Sequence, residues 1–176
     1  MAAFCVLCVL SNGLAQTKPS EYQVKTAYLY NFVRFVAWPQ KPDANDDVFA
    51  ICILGQDPFG KMLDTALEGE VVNRKKIAAK RISDDKDAVN CKVLFISSSE
   101  EARLKATLAV VEKSPILTVS DIPQFSQRGG MIQFVLEGNK VRFEVNLAAA
   151  QSVGLALSSE LLKVATVVRR NAPHGD

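Results

Sequence analysis

The sequence predicts an α/β domain: a mostly parallel sheet flanked by helices, with an antiparallel β-hairpin towards the C-terminal end. Three observations carry that expectation. Val48 to Leu54 is an unbroken apolar run rich in β-branched residues and closed by Gly55, as a strand buried on both faces requires. From Val48 to Val119 strand-like and helix-like stretches alternate, the rhythm of a parallel sheet with crossover helices. After Gly129-Gly130 two stretches flank Glu137-Gly138-Asn139, which predicts a hairpin with a three-residue loop.

The length of 176 residues fits one domain with a core of its own, and 48% hydrophobic with 23% charged residues is ordinary globular composition. A formal net charge of +2 is too mild to announce nucleic acid or an anionic membrane surface, and no basic stripe with interleaved aromatics occurs. Met1 to Ala15 is expected to be a signal peptide: an apolar run from Ala2 to Leu10, then polar residues, then Gly13-Leu14-Ala15 as a cleavage site before Gln16. No Lys or Arg precedes the apolar run, so a buried N-terminal strand or helix stands as the alternative. No later run approaches the ~20 apolar residues of a membrane span, so the mature chain is expected not to span a membrane.

Residues 16–170 are expected to form the single domain, and 171–176 a frayed tail. Ser20-Glu21-Tyr22-Gln23 forms a capping box, and the helix behind it carries a stripe of Val24, Ala27, Tyr28, Asn31, Phe32 and Phe35, widened by Leu29, Val33 and Val36. Trp38-Pro39 ends it. Lys41 to Asp47 is a polar linker into the Val48 strand, which we take as central, and Lys61 to Leu67 is the helix that follows. Lys76 to Ile82 suits an edge strand because its lysines and arginine blunt an exposed border. Asp84 to Asp87 is a solvated turn, Cys91 to Ile96 a second buried strand, and Ser97 to Glu101 the hydroxyl-capped, acidic opening of a helix to Glu112. Ile116 to Val119 is a short strand. Along Lys140 to Asn146, Val141, Phe143 and Val145 face one way and Arg142, Glu144 and Asn146 the other. Asn146 caps a short helix through Val153, Gly154 breaks it, and Ser158 or Ser159 starts another in which Leu161, Leu162, Val164, Ala165 and Val168 pack inward.

Little chemistry is visible. His174 is the only histidine and sits in the tail, which removes Ser-His-Asp and Cys-His catalysis and most zinc sites. Asp84, Asp85 and Asp87 lack calcium-loop spacing. Gly55-Gln56-Asp57-Pro58-Phe59-Gly60-Lys61-Met62 has the spacing of a phosphate loop, but Met62 replaces the magnesium-binding hydroxyl, Asp57 adds negative charge and Pro58 removes an amide. If Met1 to Ala15 is removed, Cys5 and Cys8 leave with it and Cys52 and Cys91 remain as an even pair. In an oxidising compartment a disulfide is the economical reading, with two buried thiols as the alternative.

Seven blocks occur in order: Tyr28-Leu29-Tyr30-Asn31-Phe32 with Phe35 and Trp38-Pro39; Cys52-Ile53-Leu54-Gly55 with Asp57-Pro58-Phe59; Cys91 to Ile96; Leu117-Thr118-Val119-Ser120; Gly129-Gly130-Met131-Ile132; Arg142 to Asn146; and Ser158 to Leu162. Together they resemble the YfiR family of bacterial periplasmic proteins, from about Tyr22 to Val168. The resemblance implies a periplasmic regulator rather than an enzyme, one that binds the periplasmic sensor domain of an inner-membrane diguanylate cyclase of the YfiN type and lowers cyclic di-GMP. It implies a Cys52–Cys91 disulfide and hints at a homodimer; no cofactor and no metal are expected from the residues themselves. The best-known member of that family carries a second cysteine pair in the region of Ser126 to Gln133, where this chain has no cysteine; repression without redox sensing through that pair is the implication. The partner surface is expected on the polar face of the hairpin, at Arg142, Glu144 and Asn146 with Arg128, a face that is otherwise merely solvated. A small-ligand-binding protein is the alternative, with its site around Gln56, Asp57 and Ser97 at the carboxyl ends of the strands.

Overall fold

The computed structural model describes residues 19–39 and 48–169. The expected signal peptide with Cys5 and Cys8, the linker from Lys41 to Asp47, and the tail with His174 lie outside the described residues.

Helix α1 (Glu21–Phe35) begins at the capping box: Ser20 accepts from the Gln23 N–H, and the Gln23 side chain accepts from the Ser20 N–H at 2.7 Å. The helix gives way to β1 (Val36–Ala37). Strand β2 (Val48–Leu54) and helix α2 (Lys61–Leu67) have the expected bounds. A short strand β3 (Val71–Val72) turns back into β4 (Lys75–Ile82), and β5 (Val93–Ile96), α3 (Leu104–Val111) and β6 (Leu117–Ser120) follow. The hairpin is β7 (Ile132–Glu137) and β8 (Lys140–Asn146), then come α4 (Leu147–Ser152), β9 (Ala156–Leu157), α5 (Ser159–Val164) and β10 (Val167–Arg169).

Among the described residues the main sheet runs β10-β8-β7-β6-β5-β2-β4-β3, and β1 pairs separately with β9. Pairings from β4 through β2, β5 and β6 to β7 are parallel; β7 with β8 and β3 with β4 are antiparallel. Those five parallel strands stand in the spatial order 2-1-3-4-5 of a doubly wound sheet, with β2, the first, at the switch point between β4 and β5.

Alternation along β2 explains its apolar run. Phe49, Ile51 and Ile53 enter the larger core beneath α1 and α2; Ala50, Cys52 and Leu54 enter a smaller one beneath α3. The Cys52–Cys91 disulfide lies in the smaller core, with the two Cα atoms 5.9 Å apart, and ties the middle of β2 to the approach of β5.

Several expectations are corrected. The buried stripe of α1 centres on Leu29, Phe32 and Val33 together with Lys25 and Thr26, while Ala27 and Phe35 are exposed. Asp84 to Asp87 is no simple turn: Asp84 caps a 3-10 helix, Asp85–Asn90. Ser97 does cap, but its hydroxyl opens a 3-10 helix, Ser98–Arg103, and α3 begins only at Leu104. The hairpin loop has two residues, because Glu137 pairs with Lys140 and both Gly138 (φ 53°) and Asn139 (φ 61°) adopt the left-handed conformation of a type I′ turn. Neither β3 nor β10 was expected; β3 covers the start of β4, and the segment from Ala165 on leaves helix to pair with β8. Val164 is exposed, contrary to its expected inward packing.

Candidate functional site

The expected partner surface lies on the second face of the sheet. There β6, β7 and β8 present Thr118, Ser120, Gln133, Glu144 and Asn146, all of which alternate with residues of the larger core. A loop from Asp121 to Gly130 folds back over them. Its Ser126 is fully buried and organises the layer: the Ser126 hydroxyl donates to Glu144 Oε2 at 2.8 Å, its N–H donates to Gln133 Oε1 at 3.1 Å, and its C=O accepts from Asn146 Nδ2 at 2.9 Å. Arg169 on β10 reaches the same Glu144 oxygen at 3.4 Å. Packing fixes the loop as well, since a Cβ at Gly130 would sit 2.1 Å from the Phe125 ring.

The four residues expected to bind a partner therefore divide. Glu144 and Asn146 meet at Ser126, and Asn146, with 2% exposure, also accepts from the Ala149 N–H at 3.1 Å as the N-cap of α4. The expectation that this whole side is free of core duty fails there, because a loop rather than solvent covers it. Arg142 is exposed, opposite Val135, near the turn end of the hairpin. Arg128 stands apart at the loop's far end, where its Nη1 is 3.3 Å from Glu101. Asn146→Ala removes a cap and strands the buried Ser126 carbonyl, so we expect a loss of about 2–4 kcal/mol in thermal or urea unfolding. An unchanged midpoint contradicts the structural role.

The carboxyl ends of β2 and β5, where a doubly wound sheet usually admits ligands, are closed by the chain's own groups. The Gln56 N–H donates to Ser99 Oγ at 3.0 Å, and a Cβ on Gly55 would lie 2.4 Å from both Ser99 Oγ and Glu100 Oε1. Asp57 caps its own turn through the Phe59 N–H and holds Arg81 Nε at 2.8 Å; Arg81 also binds Asp64 and the Gly60 carbonyl. The Arg81 guanidinium holds the Asp64 carboxyl below the usual carboxylate range. Ser97, expected at a ligand site, is a buried helix cap.

A third group was not visible in the sequence. Lys25, with only 3% of its side chain exposed, lies 2.7 Å from Asp121 and 2.5 Å from Glu21 across a helical turn, and its ammonium sits 4.4 Å from the centre of the Tyr22 ring. The Tyr22 hydroxyl donates to Asp121 at 3.1 Å. Burial pulls the Lys25 ammonium down, but hydrogen bonds to Asp121 and Glu21 outweigh it and the net shift is upward. Burial, then the Asp121 charge, push the Tyr22 hydroxyl up. The i, i+4 pairing of Glu21 with Lys25 was the one available signal.

Among the described residues no helix is long and apolar enough to cross a membrane, and no cluster of His, Cys, Asp and Glu is arranged to hold a metal.

Two solved structures share the fold. A conserved domain protein from Vibrio cholerae O1 biovar El Tor superposes with a TM-score of 0.59 at 10% identity, over 85% of this chain and 60% of that one. The ABC domain from Streptococcus pneumonia, solved in complex with L-Trp, gives 0.55 at 9% identity, over 84% of this chain and 60% of that one. This chain thus spans about 60% of the length of each. The domain model described as YfiR/HmsC-like matches residues 22–166, which takes in α1, the disulfide, the hairpin and the Ser126 layer. The chain belongs to the YfiR/HmsC-like family.

Proposed function

We propose that this protein is a periplasmic regulator that binds the periplasmic sensor domain of an inner-membrane diguanylate cyclase and holds the enzyme inactive, lowering cyclic di-GMP. The family match over residues 22–166 is the observation that carries this reading. The Cys52–Cys91 disulfide suits an oxidising compartment. Repression requires that the protein bind the inactive cyclase better than the active one. Moving such an equilibrium from 1:99 to 99:1 takes about 5.5 kcal/mol of differential affinity.

On this reading the contact surface centres on Arg142, with Arg128 at a second point, and Glu144 and Asn146 serve it by fixing the loop beneath. Arg142 is exposed and makes no ion pair among the described residues, so it is free to meet an acidic group on the partner. Arg142→Glu is expected to leave stability within about 0.5 kcal/mol of the parent while weakening capture of the cyclase at least tenfold. The experiment is a pull-down of the tagged protein against solubilised inner membrane of its own source, followed by assay of cyclic di-GMP synthesis by the captured material. Recovery of a diguanylate cyclase whose activity rises when the protein is removed supports the reading. Recovery of no membrane protein by folded bait, or of a cyclase indifferent to it, sinks it.

A further inference from the structure

The outer edge of β4 is only partly covered. Val71 and Val72 of β3 stand opposite Lys76 and Lys75, and the Ile77 N–H reaches the Glu70 C=O at 3.0 Å. From Ala78 to Ile82 the strand is paired on one side alone, to β2. Ile77 sends its N–H outward, and Ile82 sends its C=O inward to the Gly55 N–H at 3.4 Å. The two-residue alternation of a strand therefore turns the main-chain groups of Ala79 and Arg81 outward, where no main-chain partner stands among the described residues.

A cavity of about 720 Å³ runs beside this edge, between α2 and the strand; Leu67, Val71, Ile77 and Ala79 give it an apolar part, and Asp64, Glu68 and Glu70 also line it. Alternating with Ile77 and Ala79, and in register with Val48 and Cys52, Lys76 at the cavity's border and Lys80 beyond it are exposed and make no ion pair among the described residues. Any strand laid along this edge would alternate in the same way. One set of its side chains would enter the cavity, and the other would stand over the two ammonium groups.

We propose that the β4 edge receives an extended segment of a partner protein as an added strand, one in which apolar residues alternate with acidic ones. Main-chain hydrogen bonds to Ala79 and Arg81 supply the pairing, the cavity takes the apolar side chains, and Lys76 and Lys80 select the acidic ones. A second copy of this chain is a poor occupant, because its own edge would set lysine against lysine. Edge lysines alone would serve to repel strands. The cavity alongside is what gives an incoming strand somewhere to put its side chains. This surface is separate from the hairpin end that carries Arg142, and the proposal does not rest on the cyclase reading.

The test titrates the isotopically labelled full chain with an acetylated peptide of alternating valine and glutamate, and with its valine–lysine counterpart. The expected result is slowed hydrogen exchange at the Ala79 and Arg81 amides with the acidic peptide only, and at least tenfold weaker binding to the Lys76→Glu/Lys80→Glu variant. Because both lysines are exposed, that variant should melt with the parent. Three results overturn the proposal: exchange at Ala79 and Arg81 unchanged at saturating acidic peptide, equal binding of both peptides, or concentration-dependent protection of these amides in the chain alone, which would make a second copy the occupant.

Discussion

Cys52→Ser is expected to lower the melting temperature by on the order of 10 °C and, on the proposed regulatory reading, to weaken repression of a cyclase. The disulfide closes a loop between residues 39 apart in sequence, and a cross-link of that span contributes about 4 kcal/mol by restricting the unfolded chain. The substituted hydroxyl lies among Ala50, Leu54, Leu94 and Ile96, where it finds an apolar lining. Cys91→Ser should behave alike, and the double variant should cost little more than either single change, since both remove one bond. Differential scanning calorimetry under non-reducing conditions checks this. A midpoint within a degree or two of the parent would mean that the bond constrains nothing the cores do not already hold.

Lys25→Ala is expected to cost about 3–5 kcal/mol, because it leaves Asp121 mostly buried beside Tyr22 with its cation gone. A lost ion pair differs from lost packing in how a second change combines with it. Lys25→Met together with Asp121→Asn should be less destabilising than Lys25→Met alone, since the double variant removes both charges. If the two losses simply add, the lysine matters for its hydrocarbon stem. The pair also sets a pH dependence. The folded-state pKa of Lys25 is raised, so its contribution is fully present below the ordinary lysine value of about 10.4 and is lost as pH rises through the folded value. Tyr22, whose pKa is likewise raised in the folded state, loses its contribution in the same direction. The parent should therefore hold its stability through neutral pH and lose it in the alkaline limb, and Lys25→Met should flatten that limb.

The elements written most clearly in the sequence are those whose cause is local. Seven consecutive apolar residues made β2, a capping box started α1, and Asn146 began α4 where its side chain could accept from the helix. Strands of two or three residues such as β3 and β10 carry too few positions for any period, and they exist because a neighbour offers a free edge. The buried face of α1 departs from the expected stripe at its N-terminal end, where Lys25 counts as exposed by residue type, whereas Asp121, 96 residues away, makes its burial tolerable. The same limit governs the hairpin. Alternation correctly separates Phe143 from Glu144, but it cannot say whether solvent or another segment covers the polar side; Ser126, in a loop with no periodicity, is what covers it.

The aromatic contacts of α1 bear on how the protein is made. Tyr28 and Phe32 pack against Phe134 and Phe143, with ring centres between 5.2 and 5.9 Å apart. The helix is thus finished early and docked late: about a hundred residues separate it from those rings, roughly 5 to 20 seconds of ribosomal synthesis. Throughout that interval Leu29, Phe32 and Val33 have no hairpin to pack against. An emerging chain in that condition presents the unpaired Leu29, Phe32 and Val33 of α1 to whatever holdase is nearest, so the face of α1 that ends up buried is a segment by which a chaperone would hold this protein.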